Sequence, residues 1–221
     1  MSFGNTGALF ESNLVMYDRN TESLWWQIAG TAVEGPMKGK RLDKLPLLWT
    51  NWKTWRELYP SSRVLSLNTG YSRPYRSERA DFMAQQYDLL PDPIYPVSTK
   101  DERLPSKEKV VGVEVEGVRK AYPLRKLQAG VLMDDVAGRR LAIFAKPSAE
   151  TGVVFDPQSF TPPLEFAYKG GAILDSQTNS RWDLTGKAVS GPLKGEKLTQ
   201  LPSITCYWFA WVTVFPETKV Y

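Results

Sequence analysis

Three carboxylates are the first residues of this chain to which a reaction can be assigned. Asp18 and Glu22 flank one short polar stretch and Asp175 stands in a matching one, and paired carboxylates of this kind can divide acid and base work across a glycan or ester. An aspartate that opens a turn has a plainer use as well, which is to cap backbone N–H groups. Both uses stand side by side here.

Aromatic and basic residues supply the remaining candidates. The eight tryptophans occupy positions 25, 26, 49, 52, 55, 182, 208 and 211, and indole faces can stack on sugar rings, although aromatic residues at helix or strand spacing ordinarily build core. Trp26 and Trp49 are the ligand-binding candidates among them. Their later counterparts are Asp183 or a neighbour and Thr205, so packing does not demand tryptophan at either place. Arg73 and Arg76, with Tyr75 between them and Arg79 nearby, suit an anion, and an exposed basic linker explains them equally well. Cys206 sits where a helix is expected to begin, a position that lowers a thiol pKa; simple capping or burial is the alternative, since Thr50 fills the matching place.

What is missing excludes more. The chain has no histidine and one cysteine. It therefore supplies no histidine base, no Ser-His-Asp or Cys-His system, no imidazole metal ligand, no internal disulfide and no Cys-x-x-Cys pair. No cofactor or metal site is expected. The net charge of +4 is spread along 221 residues, which gives no concentrated footprint for nucleic acid. No apolar run approaches the roughly 20 residues of a transmembrane helix. The first twenty residues show no basic region followed by an apolar one, so no signal peptide is read; the expected location is the cytoplasm if Met1 is the true start, and the cell envelope if the chain is a fragment.

The elements that must position these residues come twice. "GTAVEGPMKGKRLDKLP" from Gly30 is echoed by "GKAVSGPLKGEKLTQLP" from Gly186, and at the same offset of 156 residues Trp52 matches Trp208, Trp55 matches Trp211, Pro60 matches Pro216 and Val64 matches Val220. Such a long period indicates a duplicated unit rather than a solenoid. Before each copy of this motif, an apolar run, a polar turn and an aromatic run read as a hairpin, with Asp18, Thr21, Ser23 and Trp25 answered by Asp175, Thr178, Ser180 and Trp182. Leu42, Leu45, Leu198 and Leu201 are expected to point inward after the Gly-Pro turns. Thr50 is the expected N-cap of a helix whose Trp52, Trp55 and Tyr59 share one face and which Pro60 ends; both helices are expected to dock through such aromatic faces.

Residues 68–109 form a proline-rich connector with a short helix expected from Glu78 to Leu90. "VVGVEVEGVRKAYPL" then reads as a half-buried hairpin that turns at Gly117, and further strands are expected through Asp156. Nothing equivalent precedes the first copy. The expected organisation is thus the back half of copy 1 over residues 1–67, the connector over 68–109, and copy 2 over 110–221 with a front half at 110–156 and a back half at 164–221.

The combination of "SNLVMYDRNTESLWWQIAG", "GPMKGKRL", "NWKTWRELYPSSRVLS" and "VVGVEVEGVRKAYPL" resembles the bacterial and archaeal family catalogued as domain of unknown function 3179, over nearly the whole chain. The resemblance implies an additional front half before a segment like 2–65, with a Cys-x-x-Cys turn; the matching turn here, "KPSAETG" from Lys146, has no cysteine. It implies architecture and no established activity.

The sequence thus predicts an α+β, mainly β protein built from a duplicated unit of β-hairpins and Gly-Pro turns with one short helix per copy, the two copies packed with pseudo-twofold symmetry and each covering an apolar face of the other. The expected function is a non-catalytic binding or structural module for a glycan, a small molecule or a protein. The alternatives are a carboxylate-dependent hydrolase, and a truncated member whose redox or metal chemistry lay in a missing front half. An uncovered edge at Phe3 to Tyr17 is expected to invite self-association.

Overall fold

Four small sheets organise residues 2–72 and 86–221, the residues described by this computed structural model. The fold is α+β and mainly β. The first sheet is an antiparallel meander of β1 (Phe3–Phe10), β2 (Asn13–Asp18), β3 (Leu24–Trp26) and β4 (Thr31–Glu34), followed by helix α1 (Trp52–Leu58). After the connector, β5 (Lys109–Val115) and β6 (Val118–Pro123) form a hairpin. Its two-residue turn places Glu116 and Gly117 at φ 47° and 77°, the geometry that matches the twist of paired strands.

Next come β7 (Gly130–Val136), β8 (Arg139–Lys146) and β9 (Thr151–Asp156), an antiparallel sheet. A second meander follows, of β10 (Phe166–Lys169), β11 (Ala172–Asp175), β12 (Arg181–Trp182) and β13 (Ala188–Ser190), in the same strand order as the first. The chain closes with β14 (Thr199–Gln200) beside β9, β15 (Ser203–Tyr207) beside β5, helix α2 (Trp208–Val214), and β16 (Lys219–Val220), which pairs in parallel with β6.

The layers follow from the sequence of β8. Its Leu141-Ala142-Ile143-Phe144-Ala145 run is apolar at every position, so neither face can meet water. One face packs Leu141 and Ile143 against Val111, Val113 and Tyr122 of the hairpin; the other packs Ala142 and Phe144 against Phe166, Ile173 and Trp182 of the second meander. Helix α2 then covers the outer face of the hairpin, where Trp208 and Trp211 meet Val110 and Ala121. The hairpin expected to be half-buried is covered on both sides, because its second face carries small residues that admit the helix.

The connector straps this arrangement. Leu104 is buried beside Trp208, the Asp101 carbonyl accepts the Trp208 indole N–H at 3.3 Å, and Arg103 donates to the Thr218 carbonyl at 2.6 Å. Of the helix expected at Glu78 to Leu90, residues 86–89 are helical and 78–85 lie outside the described residues. The first meander docks through Ile28, which packs on Phe209 and Ala210, and the segment after it docks through Leu48 and a Thr151-to-Thr50 hydroxyl bond of 2.8 Å.

Several expectations need correction. Asn51, not Thr50, caps α1 by accepting the Thr54 N–H at 2.9 Å, and Cys206 lies in β15, one residue before the Tyr207 cap position of α2. Leu198 is buried but Leu45 is 80% exposed. Among the described residues only α2 docks through its aromatic face. The expected docking of both helices is thus met by α2, whereas α1 has no hairpin over it among the described residues.

Candidate functional site

The aspartates organise turns. Asp18 is fully buried and accepts the N–H groups of Asn20 and Thr21, the Thr21 hydroxyl at 2.7 Å and the Trp25 indole at 3.0 Å. Asp175 accepts the Thr178 and Ser180 N–H groups, the Thr178 hydroxyl and the Trp182 indole at 3.0 Å. Ser23 and Ser180 extend each network to the Met37 and Leu193 N–H groups. Glycine is required beside them: a Cβ on Gly35 or Gly191 would lie 2.8 or 2.6 Å from the Cα of Ser23 or Ser180.

Burial alone would raise the pKa of Asp18, but the bonds from Trp25, Thr21 and Asn20 prevail and hold it at about 2; Asp175 is lowered for the same reason, with Trp182, Thr178 and Ser180 as donors. Glu22 is exposed and does not share the Asp18 enclosure, and Asp175 occupies the other meander. Asp18 and Asp175 have the geometry of turn anchors, with their oxygens committed to donors.

Trp26 packs edge-to-face on Phe10 at 5.1 Å and against the Ile28–Phe209 cluster, and its indole N–H is buried without a partner among the described residues. Trp49 is 51% exposed beside α1. The structure thus puts one candidate indole in a packed seam and the other at the surface. Arg73, Tyr75 and Arg76 lie outside the described residues. For Cys206, burial pushes the thiol up to about 12, with Lys44 opposing weakly.

Two polar groupings escaped the sequence reading. Lys44 and Arg119 approach the Phe215 ring at 5.1 and 4.7 Å in a cavity of roughly 600 Å³ lined by residues 41–44, the β5–β6 hairpin and α2, where Arg119 also pairs with Glu114 at 3.2 Å. Burial lowers the pKa of Lys44 despite the attraction of Glu114. Between β7 and the hairpin, Asp134 accepts from Lys120 at 2.5 Å and from the Tyr122 hydroxyl at 2.7 Å, which burial and Asp134 together push up in pKa. The Lys120–Asp134 pair balances its charge, whereas Lys44 and Arg119 share the single carboxylate of Glu114.

The larger omission is the surface of α1. Trp55 donates to Ser62 Oγ at 2.8 Å as Trp211 donates to Thr218 Oγ1 at 2.9 Å, and Tyr59 and Phe215 end the two helices with φ of −131° in both cases. Local structure is shared, and burial is not. Trp52 is 48% exposed where Trp208 is fully buried; Tyr59 is 40% exposed where Phe215 is 7%. Leu45, Val64 and Leu65, which flank the helix in sequence, are exposed as well. Periodicity located this face but could not reveal whether anything covers it.

Among the described residues no group of three or more acidic or cysteine side chains is placed to hold a metal ion, and no helix is long and apolar enough to cross a membrane. A family model described as protein of unknown function (DUF3179) matches residues 1–218. The chain belongs to that family. No curated protein and no solved structure matches it.

Proposed function

We propose that this member of the DUF3179 family is a non-catalytic protein-binding module, built from two copies of one unit divided at 1–67, 68–109 and 110–221, with the aromatic face of α1 as its docking surface. One observation carries this reading: two helices with the same aromatic spacing, the same indole–hydroxyl bond and the same ending differ in that α2 is buried and α1 is open. Large aromatic side chains left exposed along one helix are often anchors of protein interfaces. The exposed aromatic groups of α1, Trp52 and Tyr59, are followed in sequence by exposed aliphatic Val64 and Leu65, an arrangement that favours a protein ligand over a glycan, which would need polar groups around a stacking platform. The hydrolase reading finds no comparable support, because Asp18 and Asp175 are enclosed by their own turns.

The test is site-specific photo-crosslinking in cells, with a benzophenone amino acid at position 52 and, as control, at Lys194 in an exposed turn. Protein adducts formed from position 52 and not from 194 support the reading. Equal or absent adducts remove it.

A further inference from the structure

We infer that the occupant of the α1 face is a β-hairpin of the kind formed by β5 and β6, seated with a glycine over Trp55 and with one strand paired in parallel to residues 63–65. The inference rests on the protein-binding reading above and names its partner. The warrant is the second copy, which shows what covers an otherwise equivalent helix. There, Gly112 lies so close to Trp211 that an added Cβ would fall 2.3 Å from the ring; Val110 and Ala121 complete the contact, and Arg119 sits over Phe215. Just past the helix, Lys219 and Val220 pair in parallel with Lys120 and Ala121, and the Tyr221 N–H donates to the Ala121 carbonyl at 3.0 Å.

In the first copy, Arg63, Val64 and Leu65 stand at the matching places, and Val64 and Leu65 are 69% and 88% exposed. No strand pairs with this segment among the described residues, and such a segment can accept a strand supplied by another polypeptide. The face is also continuous with an interface already formed, since Glu57 pairs with Lys146 at 2.9 Å and Thr50 meets Thr151 on the far side of the same segment.

The experiment uses the full chain and a cyclised hairpin probe of sequence 109–123. The probe carries Val111→Thr, Val113→Thr and Val115→Thr on the face turned away from the helix, and its strand pairing is verified by NMR beforehand. Fluorescence anisotropy should show saturable one-to-one binding, at least about tenfold weaker for a probe carrying Gly112→Leu, which collides with the indole, and for a chain carrying Leu65→Pro, which lacks the N–H equivalent to that of Tyr221. Indifference to both substitutions overturns the hairpin geometry. No binding by the verified probe, together with crosslinking from position 52, overturns the hairpin and leaves the protein-binding reading in place; loss of both signals ends both. Light scattering that shows a dimer abolished by Trp52→Glu would make a second copy the occupant and also overturn the inference.

Discussion

Gly112 and Trp211 are in such close contact that the backbone of β5 itself forms the floor beneath the indole, leaving 2.3 Å between the ring and any Cβ that residue 112 could carry. Both neighbours are fixed, the glycine by pairing in β5 and the ring by its bond to Thr218. Gly112→Ala should therefore destabilise the protein by about 3 kcal/mol through overpacking. Gly117→Asn is the control: the position is left-handed at φ 77° with open space around it, and asparagine tolerates that region, so the loss should stay under about 1 kcal/mol. Urea unfolding of the two variants checks both values.

Asp18 is expected to make stability sensitive to acid. Its folded pKa is depressed to about 2 from an ordinary 3.8, so the unfolded chain takes up the proton first as pH falls. The associated stabilisation is fully present above about pH 4 and disappears as pH drops toward about 2, and Asp175 acts in the same direction. In Asp18→Asn the amide nitrogen must confront at least one of the N–H donors that now point at the carboxylate. The variant should be less stable at neutral pH and flatter in its pH dependence between 4 and 2. Urea midpoints measured across that interval test this, and an unchanged slope would refute it.

The turns were legible in the sequence because their chemistry is local: Asp18, Thr21, Ser23 and Trp25 bond one another within eight residues, and their later counterparts repeat the pattern. The strands of the front half were legible for the same reason, through Gly117, Gly138 and the alternating valines. What could not be read depends on neighbours distant in sequence. The spacing of Trp52, Trp55 and Tyr59 is that of Trp208, Trp211 and Phe215, so spacing alone assigned both sets to core. Exposure of the first set follows from which helix has a hairpin over it. The one-residue error at Thr50 has a different origin, since Asn51 and Thr50 are both good caps and the choice is settled by the turn that places Asn51 Oδ1 over the Thr54 N–H.

Cys206 should be inert in the folded protein. Its burial among Val110, Trp208 and neighbouring apolar groups raises the thiol to about 12, which leaves only about one thiolate in 10,000 at pH 8. Iodoacetamide at that pH should label it slowly in the native state and quickly in urea, as followed by intact mass. Rapid native labelling would place the sulfur in a polar environment at odds with this packing.

The contrast between the two helices predicts opposite costs for the same substitution. Trp208→Ala removes a fully buried indole held between Leu104, Val110 and Ala121, and cavity formation should cost about 3–5 kcal/mol. Trp52→Ala removes a side chain that is half in water, so the loss should stay within about 1 kcal/mol. Urea unfolding distinguishes these cases without reference to any ligand. If Trp52→Ala proved as damaging as Trp208→Ala, the face of α1 would already be covered in the isolated protein and would be unavailable to a partner. If the two diverge as expected, Trp52 contributes little to the fold that carries it, which is what the proposed docking role of the α1 face requires.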